Sequence, residues 1–213
     1  MRDAILTSAY LAPVHYYTKL YACKHIYLET NDHYVKQTYR NRCIIASPDG
    51  CLPLTIPIER NDCSHTPMRD IRISDHGNWR HLHWNALVSA YENSPFFEYY
   101  EDDFRHFYEE KYDFLADFNL AIEETVCNLL GISCEREKPD SYMNAENVLA
   151  DDFRENIRPK IDYSFDKNFR PMEYYQVFKG KNGFLPNLSI ADLLFNMGPE
   201  SRLVLRGSIV ENQ

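Results

Sequence analysis

Between Tyr34 and Arg42 the chain reads Tyr-Val-Lys-Gln-Thr-Tyr-Arg-Asn-Arg, which puts Lys36, Arg40 and Arg42 within seven residues among amides and phenols. Arg presents a planar bidentate fork and Lys a point charge, so this segment suits a phosphate or carboxylate ligand. On an extended backbone Lys36, Arg40 and Arg42 share one face, and Gln37, Tyr39 and Asn41 the other. A solvated loop is the plainer alternative. A second candidate is Tyr10-Leu11-Ala12-Pro13-Val14-His15-Tyr16, where His15 would donate a proton or contact a phosphate. A lone His at a helix start is also an ordinary packing residue. His76, His81 and His83 form a third group beside Trp79 and Trp84. Residues two apart do not share a helix face, so no zinc site is expected there. His83 reads instead as a single polar residue on a buried face.

The elements around these residues follow from period and punctuation. Residues 4–10 read as a buried strand, Val14 to Ala22 as a short helix after Pro13, and residues 25–29 as a second strand. Together they make a compact βαβ unit with parallel strands, and ligands of such sheets bind outside the carboxyl ends of the strands, beside helix N-termini. Arg42 to Ser47 and Cys51 to Ile58 read as strands joined through Pro48-Asp49-Gly50, and Asp70 to Ser74 as a shorter strand.

From Trp79 the period changes to helix. Trp79 to Glu92 carries one apolar face, and Phe104 to Leu130 reads as one long helix or two joined near Tyr112, closed by Gly131. Its acidic residues, including Glu109, Glu110, Asp117, Glu123 and Glu124, are expected on the solvated face. Residues 135–172 read as an irregular excursion, Tyr174 to Phe178 as an edge strand, and Leu188 to Asn196 as the last helix, with Ser189 and Asp192 at capping-box spacing. The expectation is one mixed α/β domain over residues 1–213, sheet-forming over 1–78 and mainly helical over 79–213.

Charge divides along the same line. Residues 1–100 balance ten basic against ten acidic side chains and hold seven of the eight His, so the net charge of -9 belongs to the remainder. The overall acidity argues against nucleic-acid binding, and the neutral N-terminal half is where an anion would be held. No run of about 18 apolar residues exists, so no membrane span is expected. The N-terminus lacks an apolar segment of signal-peptide length. The six Cys (23, 43, 51, 63, 127 and 134) show no zinc or redox spacing, so they read as reduced thiols of a cytoplasmic protein. No Gly-rich phosphate loop and no G-x-S-x-G elbow is present, and no metal or other cofactor is implied.

Several strings in succession resemble the WbqC-like protein family: Ala9-Tyr10-Leu11-Ala12-Pro13 with Tyr16-Tyr17, Tyr34 through Arg42, Leu54-Thr55-Ile56-Pro57-Ile58, Trp79 through His83, and Ala90-Tyr91 with Asn93 through Tyr100. Tyr174, Gln176-Val177-Phe178 and Asn187 through Pro199 continue the likeness to about residue 200. The resemblance implies a bacterial, intracellular protein. Some members of the family belong to O-antigen gene clusters, and glycine transfer onto a sugar has been suggested for it. It adds weight to Pro13, Tyr16, Lys36, Asn41, Arg42, His83, Tyr91 and Gln176. His15 stands where relatives carry a small residue, which moves it to the rim of any pocket.

Two readings follow. As a transferase in surface-polysaccharide biosynthesis, the protein would hold a nucleotide-sugar or activated acyl donor at the strand-one loop. Lys36, Arg40 and Arg42 would neutralise the donor, and His83 or Tyr91 would handle the acceptor proton. Nucleotidyl transfer is a weaker variant, because the second His of an H-x-G-H string is missing. As a binding module, the protein would take an anionic metabolite or a partner protein, and its Met, Cys and aromatic residues would serve a homodimer face as well as a core.

Overall fold

The computed structural model describes residues 3–59 and 65–210. Strand β1 (Asp3–Thr7) is one of the two inner strands of a four-stranded sheet ordered β5-β2-β1-β6, with β2 at His25–Glu29, β5 at Glu135–Glu137 and β6 at Ala150–Asp152. Every pairing in it is parallel, with Ala4 opposite Ile26, Asp3 opposite Ala150 and His25 opposite Glu135. Ala4, Ile5 and Leu6 are completely buried, as expected of a continuous apolar strand in a parallel sheet. Helix α1 (Val14–Ala22) links β1 to β2 and packs against two later helices, α6 (Ile190–Met197) and α7 (Ser201–Gly207).

A separate antiparallel hairpin is formed by β3 (Arg42–Ser47) and β4 (Gly50–Thr55), with Gly50 at a φ of 104° where the turn demands positive φ. It leans on α2 (Trp79–Tyr91) and α6. Helices α3 (Phe97–Glu109) and α4 (Leu115–Leu130) complete the helical side, with Gly131 in the left-handed conformation closing α4. A short α5 (Lys179–Asn182) precedes α6. The architecture is mixed α/β, with most of the helix in the later half.

Several expectations need correction. The segment 135–172 is not merely irregular: it supplies both edge strands of the main sheet, so the sheet draws on both halves of the chain. Each of these strands is three residues long, Glu-Arg-Glu and Ala-Asp-Asp, and at a wet sheet edge no apolar alternation is required. In place of a strand at 70–74 there is a 3-10 turn, Met68–Asp70, and isolated bridges from Ile73 to Ile58 and from Arg72 to Phe114. Ile71 and Ile73 still point into the core. The stretch Tyr174 to Phe178 forms no strand, and α7 follows the helix read as the last. Of the two readings of 104–130 the structure takes the second, two helices meeting around Tyr112, and only the start is corrected, from Phe104 to Phe97. Glu123 leaves the expected solvated face: it is buried and accepts a hydrogen bond from Tyr16 Oη at 2.8 Å. Cys23, Cys43 and Cys127 are buried free thiols, Cys134 is half-buried and Cys51 exposed, while Cys63 lies outside the described residues.

Candidate functional site

A parallel sheet brings the carboxyl ends of its strands to one edge. Here that edge holds a cavity of about 440 Å³ built from the residues following β2 and β6. Asn31, Asp32 and His33 line it from the first segment, Asp152, Arg154 and Glu155 from the second, and Arg40 reaches in from the turn before β3. The volume is in the range of small-ligand sites.

Two opposed ion pairs dominate the cavity. Arg154 is fully engaged: Nε and Nη2 bind the Asp152 carboxylate at 3.0 and 2.7 Å, and Nη1 donates to the Met143 carbonyl at 2.9 Å. Nη1 also lies 3.4 Å from Glu29 Oε2, the buried last residue of β2, whose carboxylate accepts from the Asn31 and Met143 amides. Burial alone would raise the Asp152 pKa, but its hydrogen bonds with Arg154 outweigh that and hold it below the usual value.

Arg40 is different. Its side chain is 1 % exposed, Nη2 donates to Asp32 Oδ2, and Nε and Nη1 have no hydrogen-bond partner among the described residues. Asp32 also accepts from Thr7 Oγ1 at 3.3 Å, yet its Oδ1 is unpartnered. Burial lifts the Asp32 pKa, and the neighbouring Arg40 offsets this only in part. Buried donors without acceptors are costly, so an anion delivered to Arg40 would relieve a standing penalty. The cavity therefore combines an unsatisfied guanidinium with a carboxylate whose proton affinity is raised.

Of the residues singled out from sequence, Arg40 lines this cavity and the others do not. Lys36 is exposed, Arg42 lies on β3 with Nε on Thr55 Oγ1 at 3.0 Å, and Asn41 donates to the Ile56 carbonyl at 2.8 Å. The three cations do not converge, because the backbone turns at Thr38 to Asn41 and does not run extended. The loop after β1 is closed to ligands. Its helix N-terminus is occupied by the chain itself: Val14 N–H donates to Leu188 O and His15 N–H to Asn187 Oδ1, while Pro13 bridges to Ser189. His15 is not at a rim. It is buried, with Nε2 2.8 Å from Asp166 Oδ2, its ring stacked on Phe169, and Lys19 on the same carboxylate. Burial lowers the His15 pKa despite that carboxylate.

His83 is 6 % exposed among aromatic rings, with Nδ1 3.0 Å from Tyr10 Oη and Trp79 edge-on. Burial pulls its pKa down to about 4, so the imidazole is neutral at pH 7. Tyr91 and Gln176 do meet, at a place where Ser189 and Asp192 had suggested only a helix cap. Ser189 does cap α6 through the Ala191 amide at 3.2 Å. Asp192 instead is completely buried and accepts from Tyr91 Oη, Tyr174 Oη and Gln176 Nε2 at 2.8, 2.7 and 3.0 Å. Gln176 Oε1 in turn accepts the Leu185 amide, so this group ties the 174–185 segment to α2 and α6.

Asp32, Asp152, Arg154 and Glu155 escaped the sequence reading. The carboxyl-edge rule pointed to the loop after every parallel strand. Asp152, Arg154 and Glu155 follow β6, a strand with no apolar pattern of its own, and Asp32 follows β2, where no helix begins to mark a ligand site.

Comparisons with known proteins place the chain in a family without adding a chemistry. The uncharacterised protein Rv1507c of Mycobacterium tuberculosis is 26% identical over 199 residues, spanning 81% of this chain and 84% of that protein. No solved structure matches significantly. The family model of the WbqC-like proteins matches residues 8–152, which include Asp32, Arg40 and Asp152 but stop short of the 174–200 strings. With more than half of the sequence matched in that way, the chain belongs to the WbqC-like protein family.

Proposed function

We propose that this protein is a group transferase of bacterial surface-polysaccharide assembly, moving an acyl, aminoacyl or glycosyl group from a phosphate-bearing donor to a sugar. The observation that carries the reading is Arg40: a buried guanidinium in the wall of a cavity of about 440 Å³, with two nitrogens that have no hydrogen-bond partner among the described residues, beside an Asp32 oxygen that likewise has none. Arg40 grips the donor's anionic oxygens, and an anion held by preorganised donors in a water-poor site keeps that stabilisation as charge grows on the leaving group. Asp32 Oδ1 takes the proton of the acceptor hydroxyl or amine as the acceptor's lone pair attacks the donor carbon of the transferred group, acyl or anomeric. The leaving group departs with the electron pair of the broken bond, and protonated Asp32 returns its proton to it. The sugar acceptor is suggested by the family resemblance, the charge of the donor by the cavity.

The neutral pair Arg40→Gln with Asp32→Asn avoids leaving one buried charge unpaired, a loss of about 3–5 kcal/mol. This double variant should fold yet lose the rise in melting temperature that UDP-glucose or acetyl coenzyme A gives the parent. Asp32→Asn alone, at a temperature where circular dichroism shows it folded, should retain donor binding while slowing transfer from a labelled donor at least roughly hundredfold, the scale of a general base. Equal transfer rates in parent and Asp32→Asn would remove the base role, and binding without any turnover would leave a metabolite-binding module.

A further inference from the structure

A second cavity, of about 340 Å³, is lined by Tyr39, Arg158, Lys160, Tyr163 and Asn187, and its Arg158 contacts Glu155 of the first. An ion-pair relay links the two. Glu155 Oε1 lies 3.6 Å from Arg40 Nη2, and Glu155 Oε2 contacts Arg158 Nη2. Arg158 Nε is buried without a hydrogen-bond partner among the described residues, as are two of the Arg40 nitrogens. The two guanidiniums are close enough for Arg40 to help depress the Arg158 pKa, after burial. The carboxylate between them is the least anchored member: the Glu155 side chain is 61% exposed, and an exposed carboxylate gains little from an ion pair. Glu155 thus occupies the position of an external anion, and it leaves three buried guanidinium nitrogens without an acceptor, a deficit that a phosphoryl group, with more acceptor oxygens, is suited to fill.

We propose that the site takes a ligand with an internal phosphate, a phosphodiester or diphosphate bearing an organic group on each side, whose oxygens replace the Glu155 carboxylate between Arg40 and Arg158. One organic group then fills the cavity lined by Asn31 and His33, and the other the cavity lined by Tyr39 and Tyr163. This rests on reading the first cavity as the donor site. Nucleotide sugars and acyl thioesters of coenzyme A share this chemistry.

Titration calorimetry of the full chain separates the cases, using UDP-glucose, acetyl coenzyme A, glucose 1-phosphate and inorganic phosphate as probes. One of the two internal-phosphate probes should bind at least about tenfold more tightly than both terminal ones, and the tighter one identifies the donor type. Glu155→Gln, a change at an exposed side chain, should tighten that binding about three- to tenfold by removing the internal competitor. Arg158→Ala should weaken it by about tenfold. Equal affinities for internal and terminal phosphates, or a Glu155→Gln variant that binds no better than the parent, overturn the two-cavity ligand. If Arg40→Gln with Asp32→Asn still abolishes binding in that case, the donor-site reading stands alone. If no probe binds the parent, both fall.

Discussion

Asp192→Asn should flatten the pH dependence of stability between pH 4.5 and 8. The Asp192 carboxyl is completely buried, and its pKa is lifted from 3.8 to about 6 by burial, against the pull of the Tyr174, Tyr91 and Gln176 hydrogen bonds. A folded pKa above the unfolded one means that the folded state binds the proton more tightly, so stability falls as pH rises. The contribution is complete below the unfolded value near 3.8 and is lost as pH climbs through about 6. One pKa unit corresponds to about 1.4 kcal/mol, so ionising Asp192 in place costs on the order of 3 kcal/mol at neutral pH, about 2 of it above pH 4.5. Asn keeps an acceptor for one tyrosine and cannot ionise. Urea unfolding of both proteins at pH 4.5 and 8 should show the parent losing about 2 kcal/mol more than the variant. Parallel pH profiles would show that the carboxyl is neutral, or solvated, throughout that range.

Gly198→Ala should lower the melting temperature by about 10 °C, at roughly 2–4 °C per kcal/mol for a chain of this size and a loss of about 3 kcal/mol or more. Gly198 joins α6 to the turn before α7 at a φ of 52° and ψ of -129°, a combination nearly reserved for glycine. A Cβ there would stand 2.5 Å from Phe96 Cδ1, well inside contact distance. Phe96 has little freedom to retreat, because its amide donates to the Phe195 carbonyl at 3.0 Å. Gly180→Ala is the internal control: nothing lies within 4 Å of its Cβ position and its φ is not positive, so alanine in α5 should be neutral or slightly stabilising. A Gly198→Ala variant as stable as the parent would mean that the 195–200 turn relaxes freely.

Which elements were legible follows from how each is stabilised. α1, β2 and β3 start and stop at the residues expected from the sequence, since each is bounded by local punctuation and carries its own apolar residues. The edge strands β5 and β6 carry no such pattern. They owe their conformation to hydrogen bonds with β2 and β1, which are long-range by nature. The candidate site divides the same way. Arg40 drew notice as one of three nearby cations, but its burial and its Asp32 partner depend on where the turn after β2 meets it.

By itself the sequence determined the βαβ opening, the hairpin, the helical second half, the concentration of negative charge after residue 100, and the family likeness. All of these rest on local period, turn chemistry and composition. Tertiary structure alone decided which polar residues face one another. It filled the N-terminus of α1 with Asn187 and Leu188, so the anion site expected there is closed. It drew Tyr91 and Gln176 onto Asp192 in a sealed knot. It also brought Arg154 and Glu155, more than a hundred residues distant in the chain, to the edge where Arg40 and Asp32 stand. Side-chain charge is written in the sequence, but burial and partnership, which set its energy, exist only once distant segments pack together.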